Sequence, residues 1–63
     1  MKVGDLVICN CPGRTWYKGL VGMVIGFVRN GVPRDSAENS EAVVLYGNTQ
    51  TVELIAHRLQ VVS

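Results

Sequence analysis

Apolar residues along this chain recur in short runs, and no stripe with a helical period persists for ten residues. Short runs rich in Val, Ile and Leu, bounded by Gly, Pro, Asn and Ser, are typical of β-strands. The pattern therefore predicts an all-β domain with five strands and one short helical turn at residues 56–58. The predicted strands are Leu6–Asn10, Val21–Val28, Ala42–Tyr46, Thr51–Ile55 and Leu59–Val62.

Turn-forming residues divide these runs. The segment "RNGVPRDSAENS" is polar, and Asn30, Gly31 and Pro33 interrupt its regularity, so we expect a loop between the second and third strands. Gly47 and Asn48 lie between two apolar runs and predict a tight hairpin into the fourth strand. The chain contains no internal repeat, linker or low-complexity tract.

Glycines interrupt the second and longest run, "KGLVGMVIG". A glycine inside a strand usually marks a bulge, a corner or a close backbone approach, and we expect Gly22 and Gly26 to let this strand bend. Five short antiparallel strands would leave exposed edges in an open sheet, and closure removes those edges. The sequence thus predicts one domain, residues 1–63, folded as a small closed or half-open barrel.

Two families share local motifs with this chain. "KGLVGMVIG" followed by "AVVLYGN" resembles the KOW element of SH3-like barrels, and "VGDLVI" resembles their first strand. "WYKGLVGMV", together with the terminal "LQVV", is similar to the photosystem I accessory E subunit family, whose members are also small SH3-like barrels. The resemblance implies a five-stranded SH3-like barrel. It does not imply one function, because such barrels serve many.

The strand register of these families implies which side chains face the core. The implied inward residues are Val3, Val7, Val24, Val43, Leu45, Val52, Leu54, Leu59 and Val61, and the implied outward residues are Leu6, Ile8, Met23, Ile25, Val44 and Tyr46. A contiguous apolar outer patch usually marks an interface. We therefore expect association through Ile8, Met23, Ile25, Val44 and Tyr46. Two alternatives stay open: loop residues including Trp16 cover the patch, or a bulge at Gly26 exchanges the faces.

Size and charge narrow the functional classes. A chain of 63 residues has little room for both a scaffold and a deep substrate cleft, so we expect a non-catalytic protein. Six Lys and Arg against five Asp and Glu give a net charge of +1, far from the basic excess of dedicated nucleic-acid binders. The sequence shows no signal-peptide pattern and no long apolar run, so we expect a soluble cytoplasmic protein.

The segment "RTWYK" carries the clearest candidate binding residues: Arg14, Trp16, Tyr17 and Lys18. Such a cluster can stack bases and hold phosphates, or receive an extended peptide in a groove. The alternative is that Trp16 closes one end of the barrel while the charges are merely solvated. The favoured function is a protein-binding module or an accessory subunit of a larger complex or virus particle. The second candidate is a KOW-type nucleic-acid-binding barrel.

Metal and cofactor chemistry finds little support in the sequence. Cys9 and Cys11 are the only cysteines, and residues two apart on an extended strand are poorly placed for a mutual disulfide. His57 could add a third ligand, but the four ligands of a structural zinc site would then need a second subunit to complete them. We therefore expect two free thiols, no metal and no cofactor.

Overall fold

The computed structural model of the chain describes residues 1–10, 13, 15–48 and 50–62. The strands in this part are β1 (Leu6–Cys9), β2 (Val21–Arg29), β3 (Val32–Arg34), β4 (Glu41–Tyr46), β5 (Gln50–Ile55) and β6 (Leu59–Val61). A 3-10 turn at Ala56–Arg58 joins β5 to β6. The predicted all-β class with one short helical turn is confirmed. Among the described residues, no helix is long and apolar enough to cross a membrane.

The structure has one strand more than the five predicted. This additional strand, β3, lies where the sequence predicts a loop. Arg29 pairs with Val32 across a two-residue turn, in which Asn30 and Gly31 have φ angles of 51° and 79°. Positive φ at both positions is the geometry of a tight hairpin turn, and Asn-Gly is the pair that adopts it most readily. Pro33 lies opposite Val28 in this short outer strand, a position where proline is tolerated. The loop prediction is therefore wrong for residues 32–34.

All strand pairs are antiparallel, and the strands follow the order β5-β4-β2-β1-β6. Strand β2 is long enough to pair with β1 through its first half and with β3 through its second half, while β4 runs along its other edge. The 3-10 turn then returns the chain to β1, where Val7 pairs with Val61. The sheet therefore wraps around one core in a compact body of 26 × 22 × 21 Å, consistent with a small β-barrel-like fold.

A bulge in β2 changes which side chains point inward. Val24 pairs with Val44, but Gly26 pairs with Val43, so Ile25 is an extra residue in the ladder. Inward positions consequently move from Val24 to Phe27 rather than continuing at every second residue. The bulge increases the local twist and bend, which agrees with the predicted corner beside Gly26.

The core lies on the concave side of the sheet. Its members are Val7, Cys9, Val24, Phe27, Ala42, Val44, Tyr46 and Leu54, with Tyr17, Ala37, Val52 and Leu59 packed against them. The inward predictions for the first, second, fourth and fifth predicted strands are confirmed at Val7, Val24, Leu54, Val52 and Leu59. They are wrong at Val3, which is 58% exposed, whereas Val61 lies opposite the buried Val7 on the inner face and keeps 39% of its surface exposed.

The predicted faces of β4 are reversed. Val44 and Tyr46, expected on the outside, are buried, while Val43 and Leu45 are half-buried on the opposite face. Residues directly opposite in an antiparallel pair share a face, so pairing with the buried Val24 brings Val44 inside. The predicted association patch therefore loses Val44 and Tyr46 and keeps Ile8, Met23 and Ile25.

Gly22 is required by packing on the concave side. A Cβ atom there would collide with Val44 Cγ1 and lie 2.8 Å from Tyr46 Cε1, closer than nonbonded carbon atoms approach. The absence of a side chain on β2 is what allows the Tyr46 ring to lie across it. The sequence places a corner at this glycine, but the structure assigns it a close approach between neighbouring strands.

Candidate functional site

Three aromatic rings meet where the β1–β2 loop crosses the end of β4. Tyr17 and Tyr46 stack with their centroids 5.8 Å apart and their planes at 21°. Trp16 packs edge-on against both, at centroid distances of 5.3 Å and 5.4 Å. Edge-to-face and offset-stacked contacts are the arrangements that aromatic quadrupoles favour. These three residues form what we call the aromatic cluster.

A short turn holds the aromatic cluster in place. Lys18 N donates to Thr15 O at 3.3 Å, and Leu20 N donates to Tyr17 O at 3.1 Å. Consecutive residues in this turn point different ways: Tyr17 packs on the core, whereas Trp16 keeps 55% of its surface exposed. Of the predicted binding residues, the structure therefore brings Trp16 and Tyr17 together and leaves Lys18 exposed beside them. Arg14 lies outside the described residues.

The aromatic cluster has a buried polar atom at its inner end. Among the described residues, no group forms a hydrogen bond with Tyr46 Oη, and the same holds for Thr15 Oγ1. Burial raises the pKa of Tyr46 above its ordinary value of 10.0, and the neighbouring Tyr17 raises it further. Tyr46 therefore stays a neutral phenol at physiological pH. The sequence did not connect Tyr46 to "RTWYK", because only the fold brings the end of β4 under this turn.

A shallow recess of about 400 Å³ lies near the tip of the β2–β3 hairpin, beside the 3-10 turn. Its lining includes Arg29, Asn39 and His57, and Arg29 Nη1 donates to Asn39 O at 3.2 Å. His57 is exposed here. Within the described part of the chain, no three His, Cys, Asp or Glu side chains come together as metal ligands would.

Cys9 ends β1 and belongs to the core. It is disulfide-bonded in the structure, so the prediction of two free thiols is wrong. Sequence spacing had argued against such a bond. Cys11 lies outside the described residues.

The convex side of the sheet carries a broad apolar surface. We call this surface the outer face, and it consists of Leu6, Ile8, Val21, Met23, Ile25, Val43 and Leu45. Met23 and Ile25 are 39% and 42% exposed, and Val21 is 51% exposed. The solvated side of an antiparallel sheet ordinarily carries polar residues. Every outward position of this sheet is apolar on β1, on the first half of β2 and on the second half of β4.

The cross-strand register makes the outer face continuous. Leu6 pairs with Met23, and Met23 pairs with Leu45 on its other side, so one apolar row crosses three strands. Ile8 and Val21 form the adjacent row. Polar residues begin at the flanking strands, with Gln60 beside Ile8 and Glu53 beside Val43. An apolar centre with a polar rim is the usual anatomy of a protein interface.

Comparison with protein-family models, with curated proteins and with solved structures finds no match for this chain.

Proposed function

We propose that this protein is a small non-catalytic interaction module, built on an SH3-like barrel, that binds another protein through the outer face. The exposed, uninterrupted apolar surface of the outer face carries the proposal. Soluble proteins seldom leave contiguous apolar patches of this kind open unless something binds them. The strand order and the 3-10 turn before the last strand support the SH3-like assignment. An accessory subunit of a larger complex or virus particle fits this description.

Affinity capture from native lysate tests the proposal with two matched variants. Ile25→Lys places a charge on the outer face. Val32→Lys places the same charge on β3, outside that face, at a side chain that is also exposed. We expect a protein retained by the wild type and by Val32→Lys to be lost with Ile25→Lys. Equal retention by all three proteins would contradict binding through the outer face.

A second function, nucleic-acid binding of the KOW type, rests on the aromatic cluster. Trp16 is exposed next to Lys18, and an exposed ring beside a cation can stack a base and hold a phosphate. The net charge of +1 gives nucleic-acid binding less support than a basic excess would. Its test is salt-dependent retention on immobilised RNA or single-stranded DNA. If this function holds, Arg14→Ala, Trp16→Ala and Lys18→Ala each reduce retention and Ile25→Lys does not.

A further inference from the structure

We propose that the open edge of strand β5 is a second binding surface, which takes up an extended segment of another protein as an added antiparallel strand with a lysine or arginine opposite Glu53. This surface is separate from the outer face, so the inference goes beyond the proposed function. Three features of β5 support it: its length without edge protection, the direction of its backbone groups, and the charge at its middle.

Strand β5 ends the sheet and lacks the features that usually protect an edge. It pairs with β4 alone among the described strands, through six consecutive residue pairs without a bulge. Natural edge strands are commonly very short, or carry proline, lysine or a bulge. The other outer strands, β3 and β6, have three residues each, and β3 contains Pro33. Strand β5, with the sequence QTVELI, therefore presents the longest edge to which another strand can add.

The hydrogen bonds of Val24 establish the direction of the backbone groups in the middle of the sheet. Val24 N donates to Asp5 O at 2.9 Å, and Val24 O accepts from Gly4 N at 2.8 Å. Both groups therefore point away from β4, toward the residues just before β1. Val24 pairs with Val44 across the β2–β4 ladder. Because opposed residues in an antiparallel ladder exchange either both hydrogen bonds or neither, Val44 directs its backbone groups to β5.

The same alternation assigns the two edges of β5. Val44 pairs with Val52, so these two residues exchange hydrogen bonds and Val52 faces β4. The backbone N–H and C=O groups of the residues between, Thr51, Glu53 and Ile55, then point to the open edge. In the described part of the chain, none of these groups bonds to a backbone group outside the sheet. The backbone of an extended chain matches this spacing of donors and acceptors.

Glu53 lies in the middle of the open edge and selects the charge of the added strand. It is exposed, and it has no hydrogen-bond or ion-pair partner among the described side chains. A recess of about 430 Å³ beside the end of β5 has Glu41, Glu53 and Arg58 as its charged lining residues. Two carboxylates against one guanidinium leave a negative balance. Since opposite charges on directly opposed residues stabilise a sheet, a lysine or arginine opposite Glu53 favours strand addition.

The same charge makes a second copy of β5 a poor occupant. When two identical antiparallel strands pair about a two-fold axis, residues near the axis meet their own copies. The registers that pair most of β5 therefore place the two Glu53 side chains directly or diagonally opposite. Like charges in such positions disfavour pairing. The added strand thus belongs to a different protein.

Amide hydrogen exchange of the purified full chain, followed by NMR, tests the site with a synthetic probe. The lysine probe is an acetylated and amidated hexapeptide in which valine alternates with threonine, lysine and threonine. We expect millimolar lysine probe to slow exchange at Thr51, Glu53 and Ile55, whereas Val52, which already donates to β4, changes less. Absence of slowing at β5, or slowing confined to another part of the chain, would overturn the proposal.

A proline in the open edge removes a donor without removing a bond to β4. Thr51→Pro should weaken binding of the lysine probe by at least about tenfold, because the outward N–H is lost and the ring obstructs the added strand. Thr51→Ala is the matched control, keeps that N–H and should bind as the wild type does. Wild-type affinity in a Thr51→Pro variant that circular dichroism shows to be folded would overturn strand addition.

A modified probe covers the case in which Thr51→Pro does not fold. Methylation of the probe nitrogens that face β5 removes the donors of the added strand and leaves the protein unchanged. This probe should bind at least about tenfold more weakly than the lysine probe. Equal affinity of the two probes would overturn strand addition.

Charge exchange tests the selectivity assigned to Glu53. A glutamate probe differs from the lysine probe only at its charged position. The wild type should bind the lysine probe about threefold to tenfold more tightly, and Glu53→Lys should reverse that preference. Glu38→Lys makes the same change of net charge at an exposed residue of the β3–β4 loop and should keep the wild-type preference. An unreversed preference in Glu53→Lys would overturn this assignment.

Ile25→Lys separates the open edge from the outer face. Probe binding should be unchanged in the folded variant, because Ile25 lies on the convex side of β2 and β4 separates β2 from β5. Loss of probe binding in that variant would place the probe on the outer face and overturn the open-edge site. Dependence of lysate capture on Ile25 is a separate result, so either proposal can fail while the other stands.

Discussion

The two sides of one sheet are built from the same kinds of residue but lie in opposite environments. On the concave side Val7, Val24 and Val44 are completely buried, while on the convex side Met23 and Ile25 keep about two fifths of their surface exposed. Side-chain hydrophobicity does not separate the two sides. The direction in which the sheet curls decides which side becomes core. The other side remains an apolar surface that is partly exposed to solvent.

The largest expected effect contrasts two glycines of β2. Gly22→Val should destabilise the protein by about 3 kcal/mol or more, because the new side chain must displace Val44 and Tyr46 from a filled core. Gly26→Ala is the control, since in the described part of the chain no atom other than those of its chain neighbours lies within 4 Å of the position of its added Cβ. It should be neutral or should stabilise by up to about 1 kcal/mol. Urea unfolding curves measure both.

Equal losses in the free energy of unfolding for the two glycine variants would contradict the different roles assigned to Gly22 and Gly26. They would mean that backbone bending, rather than packing on the concave side, makes Gly22 necessary.

A smaller effect is expected from a comparison of two valines on β2. Val24→Thr buries a hydroxyl in the core and should cost about 1–3 kcal/mol, unless the hydroxyl finds a backbone acceptor. Val21→Thr makes the same change where half of the side chain is exposed, and should alter stability by no more than about 0.5 kcal/mol. Thermal melts of dilute samples compare the two. A larger loss for Val21→Thr would reverse the assignment of the faces.

The smallest effect concerns the buried phenol on the concave side. Because burial raises the pKa of Tyr46 in the folded protein, the unfolded chain ionises first as pH rises above 10.0. The stabilising effect of its neutral state is complete below that pH and is lost as pH rises through the folded pKa. Tyr46→Phe should change stability little at neutral pH, since Oη has no hydrogen-bond partner among the described residues.

The same variant should also unfold less readily than the wild type at alkaline pH. Stability measured from pH 8 to about 11 checks this difference. Identical alkaline losses for the two proteins would show that Tyr46 is not a buried phenol.

Short apolar runs and the turn-forming residues between them predicted most of the fold, because these local patterns determine where strands and turns lie. It failed where pairing between strands decides the outcome. In β4 both alternating sets are apolar, so nothing within the strand distinguishes Val43 from Val44. The pairing of Val44 with Val24 selects between them. The bulge in β2 shows a related limit, because Gly26 marks it in the sequence but only the pairing with β4 identifies Ile25 as the extra residue.

The candidate site was partly visible in the sequence. Trp16 and Tyr17 were found because they are neighbours, whereas Tyr46 joins them only through the fold. Ile8, Met23 and Ile25 were placed correctly on the outside, but their neighbours on β4 were not. The Asn30–Gly31 pair is a different case. Its hairpin signal was present in the sequence, and the polar residues that follow it obscured the short strand.

The most direct test of binding through the outer face follows the methyl group of Met23, at the centre of that face. In protein labelled with carbon-13 at the methionine methyl groups, the Met23 resonance of the wild type should shift or broaden when native lysate is added. The same resonance should stay constant in the folded Ile25→Lys variant. A Met23 resonance that is unchanged in the wild type when lysate is added would contradict binding through the outer face.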